Sequence, residues 1–101
     1  MPAYLIVLRE ESVKDAAAFT EYQRMTRALK NEVRPKPLVV YGATNALEGD
    51  KPDGVIVLEF PSVEAANAWY NSPDYQAALP HRLKAAKHRA FIVDGFMPPK
   101  P

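Results

Sequence analysis

Two aliphatic runs, Leu5-Ile6-Val7-Leu8 and Val55-Ile56-Val57-Leu58, constrain this chain more than any other feature. Each is short, rich in branched side chains and bounded by charge or turn residues, so each predicts a β-strand. A strand with one face in water alternates apolar with polar residues. These two do not: both side-chain parities are apolar. They read as the central strands of a sheet that is covered on both faces.

The other elements arrange themselves around these runs. Ser12 offers an N-cap for a helix running to about Asn31, with Phe19, Tyr22, Thr26, Leu29 and Val33 forming an inward stripe at spacings of three and four. Arg24, Arg27 and Lys30 take the other side. Arg34-Pro35-Lys36-Pro37 stops that helix. Leu38-Val39-Val40-Tyr41 predicts a second strand, residues 42–53 a loop, and residues 55–60 the third strand. Ser62 caps a short helix with Glu64 in its first turn, where the helix dipole favours negative charge. Ser72-Pro73 starts another helix, with proline at the first position, where no N–H is needed. Pro80 predicts a fresh turn or two through about Lys87. Ala90 to Asp94 is the fourth strand, closed by Gly95. Residues 1–96 thus read as a single domain and residues 97–101 as an extended or disordered proline-rich tail. With right-handed crossovers, the order β-α-β-β-α-β is the ferredoxin-like α+β arrangement with a four-stranded antiparallel sheet.

Helices on such a sheet cover one face only. Roughly eight aliphatic or aromatic side chains then remain on the other, at about 1.5–3 kcal/mol for each one fully buried. A loss of that size rivals the stability of a whole domain. Sheet-to-sheet packing with a second copy is the simplest cover, since twofold dimers are the commonest closed assembly. A monomer with an apolar ligand on that face is the alternative.

Composition narrows the function by exclusion. A chain of 101 residues forms one domain. The formal net charge of +1 supplies no field to attract nucleic acid or an anionic membrane. No cysteine is present, which excludes disulfides, thiolate catalysis and thiolate metal sites. The apolar run from Ala3 to Leu8 lacks the basic leader and length of a signal peptide, so a cytoplasmic location is expected.

The segment Glu59-Phe60-Pro61-Ser62, followed by Ala65-Ala66, Trp69-Tyr70-x-Ser72-Pro73-x-Tyr75, Arg82 and Ile92-Val93-Asp94-Gly95, resembles domain-of-unknown-function family 1330. That family lies within the dimeric α+β barrel superfamily. The resemblance runs from about residue 3 to 96 and implies a ferredoxin-like fold and a homodimer joined through its sheets. The wider superfamily includes cofactor-independent monooxygenases, haem-degrading enzymes, muconolactone isomerases and binding or regulatory modules, so the fold selects no reaction. Members often carry a Gly-Gly pair before the second strand. Arg34-Pro35-Lys36-Pro37 stands there in this chain and implies a stiffer lead into it.

Arg82 is the foremost candidate for a site. Its planar, permanently charged fork suits a carboxylate or phosphate. The competing reading is an ion pair or a contact to the loop after the third strand. Trp69, Tyr70, Tyr75 and Tyr22 are either the walls of a pocket or plain core, and buried tyrosine hydroxyls need partners in either case. His81 is a weaker candidate for acid–base work, as is Glu59, the one acidic residue inside a strand. His81 and His88 lie about 10.5 Å apart if they share a helix. That is too far for a single ion, so no metal is expected, nor any cofactor, and His88 reads as a surface residue. The basic run Lys84, Lys87 and Arg89 reads as a solvated face, and the glycines fit no phosphate-binding spacing.

Two functions follow from this reading. One is a protein that binds or transforms a small apolar or aromatic carboxylate without a cofactor. The other is a non-catalytic dimerisation or regulatory module in which the same residues are core. A cavity with Arg82 pointing into it separates the two.

Overall fold

The computed structural model describes residues 1–29 and 34–96. The expected helix positions Lys30 and Val33 and the proline-rich tail lie outside the described residues. The elements are β1 (Ala3–Arg9), α1 (Ala16–Arg27), β2 (Lys36–Val40), β3 (Gly54–Phe60), α2 (Val63–Tyr70), α3 (Pro73–Ala85) and β4 (His88–Asp94). The four strands form one antiparallel sheet in the order β2-β3-β1-β4. The two aliphatic runs are its central strands, and the fold is ferredoxin-like.

Register fixes what each face carries. Leu5 stands between Leu58 and Ile92, and Val7 between Ile56 and Ala90. Leu5 and Val7 belong to the core with Phe60, Ala66, Trp69 and Tyr75, so this is the face on which the helices stand. Alternation sends Ile6, Leu8, Val55 and Val57 to the opposite face, with Phe91 and Val93 beside them. No element among the described residues covers that face, and Phe91 and Val93 are each 44% exposed.

The helices start where short polar side chains meet unpaired backbone N–H groups. The Ser62 hydroxyl accepts from the Ala65 N–H at 3.0 Å, and the Ser72 hydroxyl accepts from the Tyr75 N–H at 3.3 Å, both at the expected caps. For α1 the cap is Asp15 rather than the expected Ser12; its carboxylate accepts from the Ala18 N–H at 2.9 Å. Tertiary contacts explain the later start. The N–H groups of Lys14 and Asp15 both donate to the Ala85 carbonyl, which ties this stretch to the end of α3 before α1 begins.

Pro80 likewise departs from expectation, since it opens no new turn. It lies inside α3, which continues to Ala85. The stripe Tyr75, Ala78, Arg82 and Ala85 stays buried across it, and this packing outweighs the lost N–H bond. Pro80 and Gln76, whose carbonyl loses its donor, are both exposed. Strands β2 and β4 each begin two residues earlier than expected, at Lys36 and His88. Edge strand β2 tolerates Pro37, carries a bulge between Pro37 and Val39, and ends at Val40 because Tyr41 takes a left-handed φ of 54°.

Candidate functional site

A cavity of about 430 Å³ lies on the helix side of the sheet, bounded by α1, the aliphatic side chains of β1 and β3, and the end of β2. Its volume falls within the range of about 300–1,000 Å³ typical of small-molecule sites. Leu5, Val7, Ile56 and Leu58 form the sheet wall. Trp69, Tyr75 and Arg82 form the deep end, and all three are buried. Gln23, Thr26 and Arg27 of α1 and Pro37, Val40 and Tyr41 complete the lining, with exposed Arg27 marking its shallow end.

A series of ring contacts builds the deep end. Phe60 packs on Trp69 at 5.6 Å between centroids, Trp69 on Tyr75 at 4.4 Å, and Tyr75 on Tyr22 at 6.2 Å. The Tyr22 and Tyr75 hydroxyls are 2.9 Å apart and share a hydrogen bond. Burial pushes the Tyr22 phenol well above the ordinary range, with Tyr75 adding to the effect and Arg82 opposing it. Burial also raises Tyr41, with Arg9 and Arg82 opposing. Tyr22 and Tyr41 are therefore protonated near neutral pH.

Arg82 stands two helical turns beyond Tyr75 on the same buried face of α3 and is only 3% exposed. Its Cζ lies 6.0 Å from the centre of the Tyr22 ring. The Nε and Nη1 atoms are buried and have no hydrogen-bond partner among the described residues. Here the expectation of an ion pair or a loop contact finds no support, and the guanidinium lines the cavity instead. A buried charge without a partner is an expensive feature, on the order of 3–5 kcal/mol when it arises by loss of a counter-ion.

The structure brings Arg82, Trp69, Tyr75 and Tyr22 together around the cavity and leaves the other candidates outside its lining. Tyr70 packs behind Tyr75, at 5.3 Å between rings. Glu59 is opposite Tyr4 and Lys36, on the sheet face that turns away from the helices. His81 is half-buried on α3, beside Arg82 in sequence. His88 is half-buried rather than a surface residue. Its Nδ1 donates to the Ala86 carbonyl at 2.8 Å, and its buried Nε2 has no partner among the described residues. Burial lowers its pKa, and the Arg82 and Arg9 charges act in the same direction.

Several features of the site escape sequence reasoning. Arg9 ends a central strand and places its guanidinium 5.3 Å from the Phe19 ring centre and 4.7 Å from that of Tyr41, while its Nε donates to Asp53 at 2.7 Å. This contact braces Tyr41 at the cavity. Gly54 leaves room for the ring, since a Cβ there would lie 2.7 Å from Tyr41 Cδ1. A charged residue at the end of an otherwise aliphatic strand was the one available signal. Thr26 already belonged to the inward stripe of α1, whereas Gln23 and Arg27 gave no signal beyond ordinary helix-surface polarity.

The profile of a family described as a domain of unknown function (DUF1330) matches residues 2–96. The chain belongs to that family. Among solved structures, this DUF1330 protein is similar to the methylated RPA0582 protein, with 23% identity, 98% of this chain and 84% of the other covered, and a TM-score of 0.69. The same RPA0582 protein, from Rhodopseudomonas palustris, is described elsewhere as of unknown function. An ethyl tert-butyl ether d (ethd) family protein from Bacillus halodurans is 18% identical over 95% of this chain and 100% of its own, with a TM-score of 0.63. A dimeric protein of unknown function and ferredoxin-like fold from Bacteroides fragilis is 13% identical over 93% and 96%, with a TM-score of 0.58. At these identities the likeness is one of fold. A search among curated proteins finds no match.

The unpartnered guanidinium makes a prediction about stability. Replacing Arg82 by methionine, of similar reach but apolar, leaves the ligand-free protein at least as stable as the wild type, by up to about 4 kcal/mol. Urea denaturation measures this. A loss of more than 1 kcal/mol (roughly the worth of one hydrogen bond) would reveal a structural partner for Arg82.

Proposed function

We propose that this DUF1330 protein binds a small organic anion with an apolar or aromatic body, and that Arg82 holds the charged group. One observation carries the reading: a buried guanidinium lines a 430 Å³ cavity with two of its nitrogens unpartnered. A carboxylate against the Arg82 guanidinium neutralises the charge and accepts from it, and charge-assisted bonds of this kind are the strong ones. The aliphatic wall and Trp69 then shelter the rest of the ligand. Tyr22 and Tyr75 share one hydrogen bond between two hydroxyls, so one proton of the pair is left over to donate to the ligand.

Binding fits the lining better than catalysis does. The described residues around the cavity include no carboxylate, histidine or lysine, and Tyr22 keeps its proton. A general base within hydrogen-bond reach of a ligand in this cavity is therefore wanting. The alternative of a module with a filled core is disfavoured by the cavity itself.

We also propose that two copies pair through the open sheet face. The apolar residues on that face, Ile6, Leu8, Val55, Val57, Phe91 and Val93, support this reading. So do two ferredoxin-like neighbours that are described as dimeric. Packing two such faces together shields both from water.

Two measurements check these proposals. In thermal-shift assays with aromatic and hydroxy acids, at least 3-phenylpropanoate stabilises the wild type and has no effect on the Arg82→Met variant. Equal responses from the two proteins would remove Arg82 from the site. In light scattering at micromolar concentration, the wild type has the mass of two chains and the Phe91→Asp variant that of one. A wild-type mass of a single chain would refute the dimer.

A further inference from the structure

Among the described residues, two charged side chains line the cavity, and both are arginines. Arg82 is at the deep end and Arg27 at the exposed shallow end. Three other arginines are neutralised at home: Arg9 by Asp53, Arg24 by Glu21 and Arg89 by Glu10. Among the described residues, no carboxylate forms an ion pair with either Arg27 or Arg82.

The offset of Arg27 from the Arg82 end follows from the rise of α1. Arg27 is five residues beyond Tyr22, whose ring is beside Arg82, and five residues advance the helix by about 7.5 Å. Gln23 and Arg27 are four residues apart and so share the flank of α1 that borders the opening. Between the two ends the wall is aliphatic, with Ile56 and Leu58 at its centre. Running along the cavity, the lining is thus cationic, apolar and cationic again.

We propose that the ligand carries an anionic group at each end, with an aromatic or aliphatic spacer between them: the inner anion sits on Arg82 and the outer on Arg27. This deepens the reading of Arg82 as an anion holder and rests on it. The inner pair is dry and supplies most of the affinity. The outer pair is wet and screened by salt, so it adds a modest factor and sets a preference for diacids over monoacids.

Calorimetric titration with two matched probes tests this. The monoacid is 3-phenylpropanoate; the diacid, 3-(4-carboxyphenyl)propanoate, differs only by a carboxylate at the far end of the ring. At low ionic strength the wild type binds the diacid about threefold to tenfold more tightly, and added salt shrinks the ratio. In the Arg27→Gln variant the ratio falls to about one. Equal or weaker binding of the diacid by the wild type overturns the proposal, as does a preference that survives in Arg27→Gln. The Arg82→Met variant separates the two levels. If it binds the monoacid as the wild type does, the reading of Arg82 itself fails. If it loses the monoacid while Arg27→Gln keeps the diacid preference, only the assignment of Arg27 fails. Absence of binding by both probes at millimolar concentration counts against both.

Discussion

Four rings, from β3, α2, α3 and α1 in turn, run in contact from the sheet to the outer helix. Phe60 is part of the sheet, Trp69 rests on it, Tyr75 on Trp69, and Tyr22 closes the series through a hydroxyl–hydroxyl bond. Aromatic pairs of this kind are worth about 0.5–1.5 kcal/mol each beyond the area they bury. The series also sets a spacing. It carries α1 on a prop of large side chains, and the space beside the prop is the cavity. Arg82, two turns along from Tyr75, faces that space because the same helical stripe that buries Tyr75 buries it too.

The sheet meets a different demand on each face. On the helix side, the core residues Leu5 and Val7 are packed by the aromatic cluster at one end and line open space at the other. On the far side, Ile6, Leu8, Val55 and Val57 have no cover among the described residues. In the proposed reading one face takes a ligand and the other a second protomer, and the two roles do not compete for surface. Gly95 lets the end of β4 close against the start of the chain. Its N–H donates to the Pro2 carbonyl at 2.7 Å, and a Cβ there would lie 2.6 Å from that oxygen.

Much of this frame was legible in the sequence, for reasons that can be located. The aliphatic runs marked the central strands because only a sheet covered on both faces tolerates apolar residues at both parities. Ser62 and Ser72 were correct caps because their bonds are local. The reading failed where a tertiary contact overruled a local rule. Ala85 captures the N–H groups of Lys14 and Asp15 and moves the start of α1, and the buried stripe of α3 carries the helix across Pro80. The site was legible in part. Arg82 stood out as a charge beside an aromatic cluster, but spacing alone does not reveal whether a helix lies flush on a sheet or stands off it. Tyr70 therefore looked equivalent to Tyr75, and only the packing separates them. Arg27 looked like any solvated arginine, because its place in the cavity lining depends on elements distant in sequence.

The most direct test of the account is a crystal structure of the protein grown with 3-phenylpropanoate. The expected result is the carboxylate within hydrogen-bond distance of the Arg82 guanidinium, with the phenyl ring against Leu58 and Ile56. A structure with Arg82 paired to a carboxylate of its own chain, or with the acid bound elsewhere and the cavity closed, would contradict it.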